Sequence, residues 1–154
     1  MPDGGYHFSQ LTIGDVGRLQ ELLRVFGDAF EDWDTYQGAV PDEAYLRSLL
    51  AAPHFIAVVA IVDDNVVGGL AAYELQKFER NRREIYIYDL AVAETERRKG
   101  VARGLILELK RIAKQRDAYV IYVQADRGDL PAIALYESLG TREDVHHFDF
   151  LVEE

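Results

Sequence analysis

Residues 84–103 constrain the fold of this 154-residue chain more than any other stretch. They begin with Ile85-Tyr86-Ile87-Tyr88, a run of β-branched and aromatic residues that predicts a strand. Three cations at 97–99 and Gly100 follow, and a helical pattern opens at Val101. The first N–H groups of a helix lack intrahelical partners, and the macrodipole places partial positive charge there. The stretch therefore predicts a strand, turn and helix suited to binding phosphates.

The rest of the composition indicates one globular domain over residues 1–154. Nearly half of the residues, 49%, are apolar, which is enough for one sizeable core. The chain has no cysteine, so a disulfide framework and a cysteine nucleophile are excluded. Its four histidines are scattered, and we expect no metal site.

The net charge of −10 argues against a nucleic-acid partner, which requires a basic surface. It suits a cationic small substrate, or it serves only solubility. The opening residues MPDGGYHFSQ show no basic and apolar leader. The longest apolar run, residues 55–62, has the length of a strand rather than of a membrane span. We therefore expect a cytoplasmic location and no membrane partner.

The order of elements predicts a mixed α/β sheet packed by helices. One helix is expected to have Thr12 as its N-cap, with Asp15 three residues on, and to end at Gly27. Residues 28–40 are expected to form a loop or a short helix. Gly68-Gly69 predicts a bulge or a close backbone approach. The remaining strands are predicted over residues 6–11, 55–62, 66–76, 119–124 and 142–152, and the remaining helices over 42–52, 101–116 and 131–139.

Two motifs carry a family resemblance. Residues 97–102, RRKGVA, match Gln/Arg-x-x-Gly-x-Gly/Ala, and residues 129–140, DLPAIALYESLG, match Asn-x-x-Ala-x-x-Leu-Tyr-x-x-x-Gly with Asp129 in the first place. The chain thus resembles the GNAT acetyl-CoA-dependent N-acetyltransferases. The resemblance implies the GNAT fold, with a mixed six- to seven-stranded sheet, splayed central strands and helices on both faces.

The same resemblance implies acetyl-CoA as co-substrate. Its pyrophosphate is expected to lie on the basic turn and the helix that follows, and its pantetheine arm along the end of the central strand. The residues concerned are Arg97, Arg98, Lys99, Gly100, Val101, Ala102 and Arg103 for the pyrophosphate, and Leu90, Ala91 and Val92 for the arm.

A narrower resemblance is to the type I aminoglycoside 3-N-acetyltransferases. It is carried by EIYIYDLAV, AYVIYVQAD, ALYxxLG and the terminal HFD. It implies acetylation of the 3-amino group of an aminoglycoside antibiotic, and it suggests a homodimer. An acetyltransferase for a polyamine or a peptide N-terminus is an alternative, as is a non-catalytic acetyl-CoA-binding module.

Two residues are candidates for proton transfer. Asp89 is a carboxylate in an otherwise apolar strand, which is costly to bury without a positive or hydrogen-bonding partner. Burial tends to raise a carboxyl pKa towards the range useful for a base. Asp89 would otherwise tie down loop N–H groups. The motif match implies that Tyr136 protonates the departing thiolate, and its alternative role is helix packing.

The candidate substrate-binding residues are mostly acidic. An acidic stretch beside Trp33 and Tyr36 suits an amino-sugar or a polyamine, because rings pack on its apolar faces and acids pair with its ammonium groups. Alternatively, this stretch is a solvated loop with Phe30 and Trp33 turned into the core. Asp129 is equally suited to capping a helix. The full set is Glu31, Asp32, Asp34, Asp89, Asp126, Asp129, His147 and Asp149.

Overall fold

A computed structural model describes residues 5–153. The first four residues, on which the expectation of a missing leader partly rests, lie outside that range. The chain divides into two compact units, residues 1–124 and residues 125–154. Each unit is described by itself below.

The first unit contains five strands and four α-helices, and the second contains one helix. None of the described helices is long and apolar enough to cross a membrane. The elements are β1 (His7–Gln10), α1 (Val16–Phe30), α2 (Trp33–Gln37), α3 (Glu43–Ala51), β2 (Phe55–Val62), β3 (Asn65–Gln76), β4 (Arg83–Val92), a 3-10 turn (Glu94–Glu96), α4 (Val101–Gln115), β5 (Ala118–Val123) and α5 (Leu130–Leu139).

The five strands form one mixed sheet in the order β1-β2-β3-β4-β5. The first four are antiparallel, and β5 runs parallel to β4. The last paired residues of β4 and β5 are Ile87 and Val123, yet β4 continues to Val92. Because β5 ends at Val123, β4 extends beyond Ile87 without a paired strand on that side among the described residues.

Two adjacent glycines of β3 show that helices cover both faces of the sheet. A Cβ added at Gly68 would meet Val101 Cγ1 of α4 at 3.4 Å. A Cβ added at Gly69 would meet Leu22 Cδ1 of α1 at 2.5 Å and the Val58 carbonyl oxygen at 2.8 Å. Because successive strand residues face opposite sides, α4 and α1 lie on opposite faces. The predicted close approach is confirmed at Gly69.

The chemistry of local turns explains several element boundaries. The β2–β3 hairpin turns through Asp63 and Asp64, whose φ values are 50° and 63°. Aspartate tolerates this left-handed conformation better than most residues do, because its short side chain bonds locally. At the start of α3, Asp42 accepts a hydrogen bond from the Tyr45 N–H at 2.8 Å, which caps the helix.

The predicted bounds of the first helix were wrong at both ends. The helix begins at Val16 with Asp15 rather than Thr12 in the N-cap position, because the Thr12 N–H donates to the Asp15 carboxylate in a turn before the helix.

Helix α1 continues to Phe30, and Gly27 is buried within it. A Cβ added at Gly27 would lie 3.4 Å from Trp33 Cε3 and from Tyr36 Cβ, so this glycine marks where α2 packs on α1. Glu31, with φ of 53°, makes the left-handed cap instead.

The predicted final strand was also wrong. Residues 141–153 form no strand in the described structure, so the sheet has five strands rather than six or seven. The segment does alternate polar and apolar residues, but a strand is stabilised by pairing with a neighbour, and alternation alone supplies none. Three of its apolar side chains are strongly exposed: Phe148, Phe150 and Val152.

Candidate active site

A β-bulge determines the direction in which Asp89 points. Ala72 of β3 pairs with Ile87, but Ala71 pairs with Asp89, so Tyr88 is an extra residue in β4. Without the bulge, Asp89 would share the face of Ile85 and Ile87. With the bulge, Asp89 shares the face of Ala71. Ala71 packs against the buried cluster that includes Leu19, Leu22 and Phe26 of α1, called the α1 core below. The bulge therefore brings the carboxylate to the side of the sheet that α1 covers.

The surroundings of Asp89 are mainly phenolic. Tyr36 Oη donates a hydrogen bond to Asp89 Oδ1 at 3.0 Å. The ring of Tyr88 lies edge-on to Tyr73 and to Tyr86, at centroid distances of 6.3 and 5.8 Å. Burial raises the pKa of Asp89, and the Tyr36 hydrogen bond partly offsets that rise. A carboxylate with a raised pKa facing tyrosines is suited to accept a proton.

Sequence reasoning named Tyr36 only as a ring beside the acidic stretch and missed it as the partner of Asp89. It lies on α2, with its ring 5.8 Å from Phe26 and 5.5 Å from Phe30 between centroids. Burial, followed by the charge of Asp89, raises the pKa of Tyr36, so the phenol stays protonated and remains a donor. No local pattern connects it with a strand residue 53 positions away. Only the packing of α2 on α1 brings the two together.

The predicted acidic stretch beside α2 divides into different roles. Asp32 Oδ1 accepts a hydrogen bond from the Thr35 N–H at 3.2 Å and caps α2, and its charge also raises the pKa of Tyr36. Asp32 and Asp89 thus both act on Tyr36. Glu31 and Asp34 are exposed. Trp33 packs on Gly27 while 49% of it stays exposed, so it is not turned fully into the core.

The basic turn before α4 has the backbone shape that its sequence predicted. Arg98 and Gly100 have φ values of 63° and 82°. A Cβ added at Gly100 would meet nothing within 4 Å, and residues 97–100 are exposed. Because the first helical bond runs from the Gly104 N–H to the Gly100 carbonyl, the N–H groups of residues 101–103 have no acceptor within the helix. This exposed, cationic helix N-terminus fits a pyrophosphate.

The end of β4 provides an open backbone edge beside that turn. The Ala93 N–H bonds the Val67 carbonyl of β3 at 2.7 Å. Because alternate residues of a strand direct their backbone groups to opposite sides, those of Leu90 and Val92 point away from β3. On that side, within residues 5–153, β4 has no paired strand beyond Ile87. Arg97 Nε donates to the Val92 carbonyl at 3.1 Å and ties the turn to this edge. Ala91 is buried against the α1 core.

The second unit holds the remaining candidates. Asp129 Oδ1 accepts from the Ala132 N–H at 3.3 Å, so the predicted alternative of a helix cap is observed. Tyr136 lies on α5 and is partly buried. Burial, and secondarily the charge of Asp129, raises the pKa of Tyr136, which keeps its phenol protonated at neutral pH. The side chain of Asp126 is exposed, and its carbonyl accepts from the Asp129 N–H.

The two candidates near the C-terminus contact each other. His147 Nε2 lies 2.8 Å from Asp149 Oδ1, and both side chains are exposed. The prediction placed them on one face of a final strand, and they contact each other here although the segment is not a strand. Across residues 5–153, no group of three or more histidine, aspartate or glutamate side chains is arranged to hold a metal ion.

Comparison with known proteins decides the family. Residues 19–141 match the Acetyltransferase (GNAT) family. The chain belongs to this family. The match spans both the basic turn before α4 and the tyrosine-containing motif of α5, and it confirms the predicted GNAT fold.

Two solved structures of GNAT acetyltransferases are similar over nearly their whole length. An aminoglycoside acetyltransferase, HMB0005, from an uncultured soil metagenomic sample is 52% identical, with a TM-score of 0.94 over 96% of this chain and 99% of that one. A second soil metagenomic aminoglycoside acetyltransferase, meta-AAC0020 in complex with sisomicin, is 28% identical, with a TM-score of 0.92 over 99% and 100%.

An N-alpha-acetyltransferase of Saccharolobus solfataricus is also similar in sequence. It is 33% identical over 92 residues, which cover 55% of this chain. The chain spans about half of that relative, 55% of its length.

Proposed function

We propose that this GNAT protein transfers an acetyl group from acetyl-CoA to an aminoglycoside, and that the amine modified is the 3-amino group. The observation that carries the proposal is the Asp89 carboxylate, partly buried among tyrosine rings. None of the ion pairs among the described residues involves it, so the charge suits a cation brought by the substrate. The 52% identity to an aminoglycoside acetyltransferase supports the substrate class.

Asp89 acts as the base on the acceptor side. It takes a proton from the bound ammonium group, so that the neutral amine can attack the thioester carbonyl. The raised pKa makes the carboxylate a better proton acceptor than an ordinary aspartate. The rings of Tyr73 and Tyr88 provide apolar surface next to that charge.

The basic turn and α4 bind the co-substrate. The unpartnered N–H groups of Val101, Ala102 and Arg103 and the cations of residues 97–99 hold its pyrophosphate. Backbone groups of Leu90 and Val92 along the open edge of β4 bind its pantetheine arm, and Ala91 between them holds the strand against β3. Acetyl-CoA supplies a carbonyl that is activated towards attack by an amine.

Tyr136 acts as the acid. As the C–N bond forms and the C–S bond breaks, its phenol gives a proton to the departing sulfur and regains one from the acetylated nitrogen. The ammonium group thus loses two protons overall, one to the thiol and one to solvent through Asp89. A pKa raised by burial suits this role, because the phenol keeps its proton until the thiolate forms.

Further acids extend the acceptor site, and a second copy of the chain completes the assembly. Asp32 and Asp34 on α2, with Glu31 before them, hold additional ammonium groups. A homodimer is proposed from the exposed apolar residues of the C-terminal segment, which would lose water contact on pairing.

A peptide N-terminus is the second candidate acceptor. It is favoured by the 33% identity to an N-alpha-acetyltransferase over 92 residues. A single α-ammonium group would also pair with Asp89, so the site chemistry described above does not separate the two acceptors.

Thiol release from acetyl-CoA tests the proposal directly. We expect turnover with gentamicin, sisomicin and kanamycin to exceed turnover with spermidine or a peptide by at least about 100-fold in kcat/KM. NMR of the product is expected to place the acetyl group on the 3-amino nitrogen. Acetylation at another nitrogen would remove the regiochemistry, and turnover on the peptide alone would remove the substrate class. Thiol release that no amine accelerates would indicate a binding module.

A further inference from the structure

The hydrogen bond between Tyr36 and Asp89 connects two elements that are remote in sequence. Tyr36 Oη lies 3.0 Å from Asp89 Oδ1, and among the described residues the carboxylate forms no ion pair. The ring of Tyr36 packs against the rings of Phe26 and Phe30, and a Cβ added at Gly27 would lie 3.4 Å from Tyr36 Cβ, so little space separates this residue from α1. A donor fixed in this way restricts the rotation of the carboxylate about its χ2 angle.

We infer that Tyr36 is a positioning residue, which fixes Oδ1 of Asp89 and leaves Oδ2 to receive the proton of the acceptor amine. The inference rests on the proposed function, because it assigns the proton transfer to Asp89. It adds to that function a residue outside both family motifs, on a helix of only five residues.

The contacts of α2 indicate a role for this helix that its short length and its exposure do not suggest. The helix is short and carries no buried residue, so it contributes little to the core. It is nevertheless capped by Asp32 and packed on α1 at Gly27, and the ring of its Tyr36 lies edge-on to Phe26 and tilted against Phe30. These contacts hold the phenol at a single distance from the carboxylate, which matters because proton transfer depends on the placement of the two groups.

The groups that face Asp89 predict the direction of the pH effect. The phenols that its charge influences are Tyr36 from α2, Tyr73 from β3 and Tyr86 from β4. Tyr36 is the one that donates a hydrogen bond to it and lowers its pKa, against the larger effect of burial. Removing the hydroxyl therefore raises the pKa of Asp89 further, because the charged form loses its donor.

Tyr36→Phe tests the inference, since it removes the hydroxyl and keeps the ring. We expect the acidic limb of kcat/KM for the aminoglycoside to move up by about one pH unit, the order expected for a hydrogen bond to a charged group. Above that limb, kcat is expected to fall about 3- to 10-fold because the carboxylate is no longer oriented, while the KM for acetyl-CoA is unchanged. An acidic limb that does not move would overturn the inference.

Tyr119→Phe is the matched control. It removes another phenol-to-carboxylate bond, from Tyr119 Oη to Glu84 Oε1 at 2.5 Å, between exposed residues outside the proposed site. We expect it to leave the pH profile unchanged. A shift as large as that of Tyr36→Phe would show that the effect is not specific to Asp89 and would contradict the inference.

A titration separates this inference from the proposed function. Carbon-13 labelling of aspartate, with Asp89→Asn used to assign the signal, reports the pKa of Asp89 without any substrate. A rise in that pKa in Tyr36→Phe supports the contact, and an unchanged pKa overturns it. If the wild-type protein acetylates no amine, the proposed function fails, and the titration still decides whether Tyr36 holds the carboxylate.

Discussion

The basic turn before α4 and the cluster around Asp89 differ in exposure, in the sequence separation of their residues and in the charge of the ligand that each is proposed to bind. The turn is exposed and is built from consecutive residues: Arg98 and Gly100 in left-handed conformations, and the N–H groups at the start of the helix. The cluster is partly buried and is built from residues far apart in sequence, with Asp89 on β4 and Tyr36 on α2. Under the proposed function, the turn would bind negative charge with backbone groups, whereas the cluster around Asp89 would bind positive charge with a side chain.

The comparison teaches that the two regions differ in how they respond to substitution. Backbone donors remain when a side chain is replaced, so the turn is expected to tolerate the loss of any one cation. Asp89 is a single, partly buried carboxylate, and no other group replaces its charge when the side chain is substituted. The predictions below test this difference, from the largest expected effect to the smallest.

Asp89→Asn is expected to reduce kcat/KM for the amine by about 10²- to 10⁴-fold, the usual contribution of a general base. Binding of CoA, measured by calorimetry, is expected to be unchanged, because the turn is independent of this side chain. Asp117→Asn replaces an exposed acid that tolerates its φ of 58° in either form, and it serves as the control. Turnover of Asp89→Asn within a few-fold of wild type would show that Asp89 is not the base and would contradict the contrast between the two regions.

Asp89→Asn is expected to raise the stability of the folded protein, although it lowers the activity. Because burial raises the folded-state pKa of Asp89, the folded protein binds more protons than the unfolded chain between the ordinary aspartate pKa and the raised one. Its stability therefore falls as pH rises through that window. Asp89→Asn removes this loss, so its Tm is expected to exceed that of wild type at neutral pH, and the difference is expected to shrink below the ordinary pKa. A lower Tm at neutral pH would contradict the assignment of Asp89 as a destabilised carboxylate.

Gly100→Ala is expected to raise the KM for acetyl-CoA by about tenfold with little change in kcat. The added methyl group meets nothing within 4 Å, but φ is 82°, and a left-handed conformation costs an L-residue about 1–2 kcal/mol. A cost of about 1.4 kcal/mol corresponds to tenfold in affinity if the turn relaxes when the ligand is absent.

Gly14→Ala controls for the methyl group itself, since it also adds one to open space but carries no left-handed strain. Steady-state kinetics at saturating aminoglycoside decides the result. Equal KM values for the two alanine variants would show that the backbone shape of the turn is not what binds.

Lys99→Ala is expected to have the smallest effect, less than about fivefold in the KM for acetyl-CoA. Lys99 lies 3.7 Å from Glu96, and its side chain is 53% exposed, so its charge is already partly compensated and screened by water. An exposed ion pair of this kind contributes at most about 1 kcal/mol. The effect is expected to decline further at high salt. A loss greater than that of Gly100→Ala would show that cations, rather than the backbone, dominate the turn.

Local chemistry made most elements predictable. The strand over residues 55–62 was confirmed at both ends, and the helix that begins at Val101 was confirmed at its start. The predictions for Gly27 and for the C-terminal segment were wrong because local signals compete there with packing. Gly27 has the residue type of a helix end, but its missing side chain lets α2 sit on α1. The alternating C-terminal segment has the pattern of a strand, but residues 141–153 pair with no neighbour in the described structure.

The sequence by itself determined the basic turn before α4, because every group that forms it lies within a few residues along the chain. It also placed Asp89 in a strand where a carboxylate is costly to bury. It did not determine which face Asp89 would take, since that depends on the extra residue at Tyr88 in the pairing of β4 with β3. Nor did it indicate Tyr36 as the partner of Asp89. Side chains on different elements meet only after the helices have packed on the sheet, and that packing was decided by the tertiary structure.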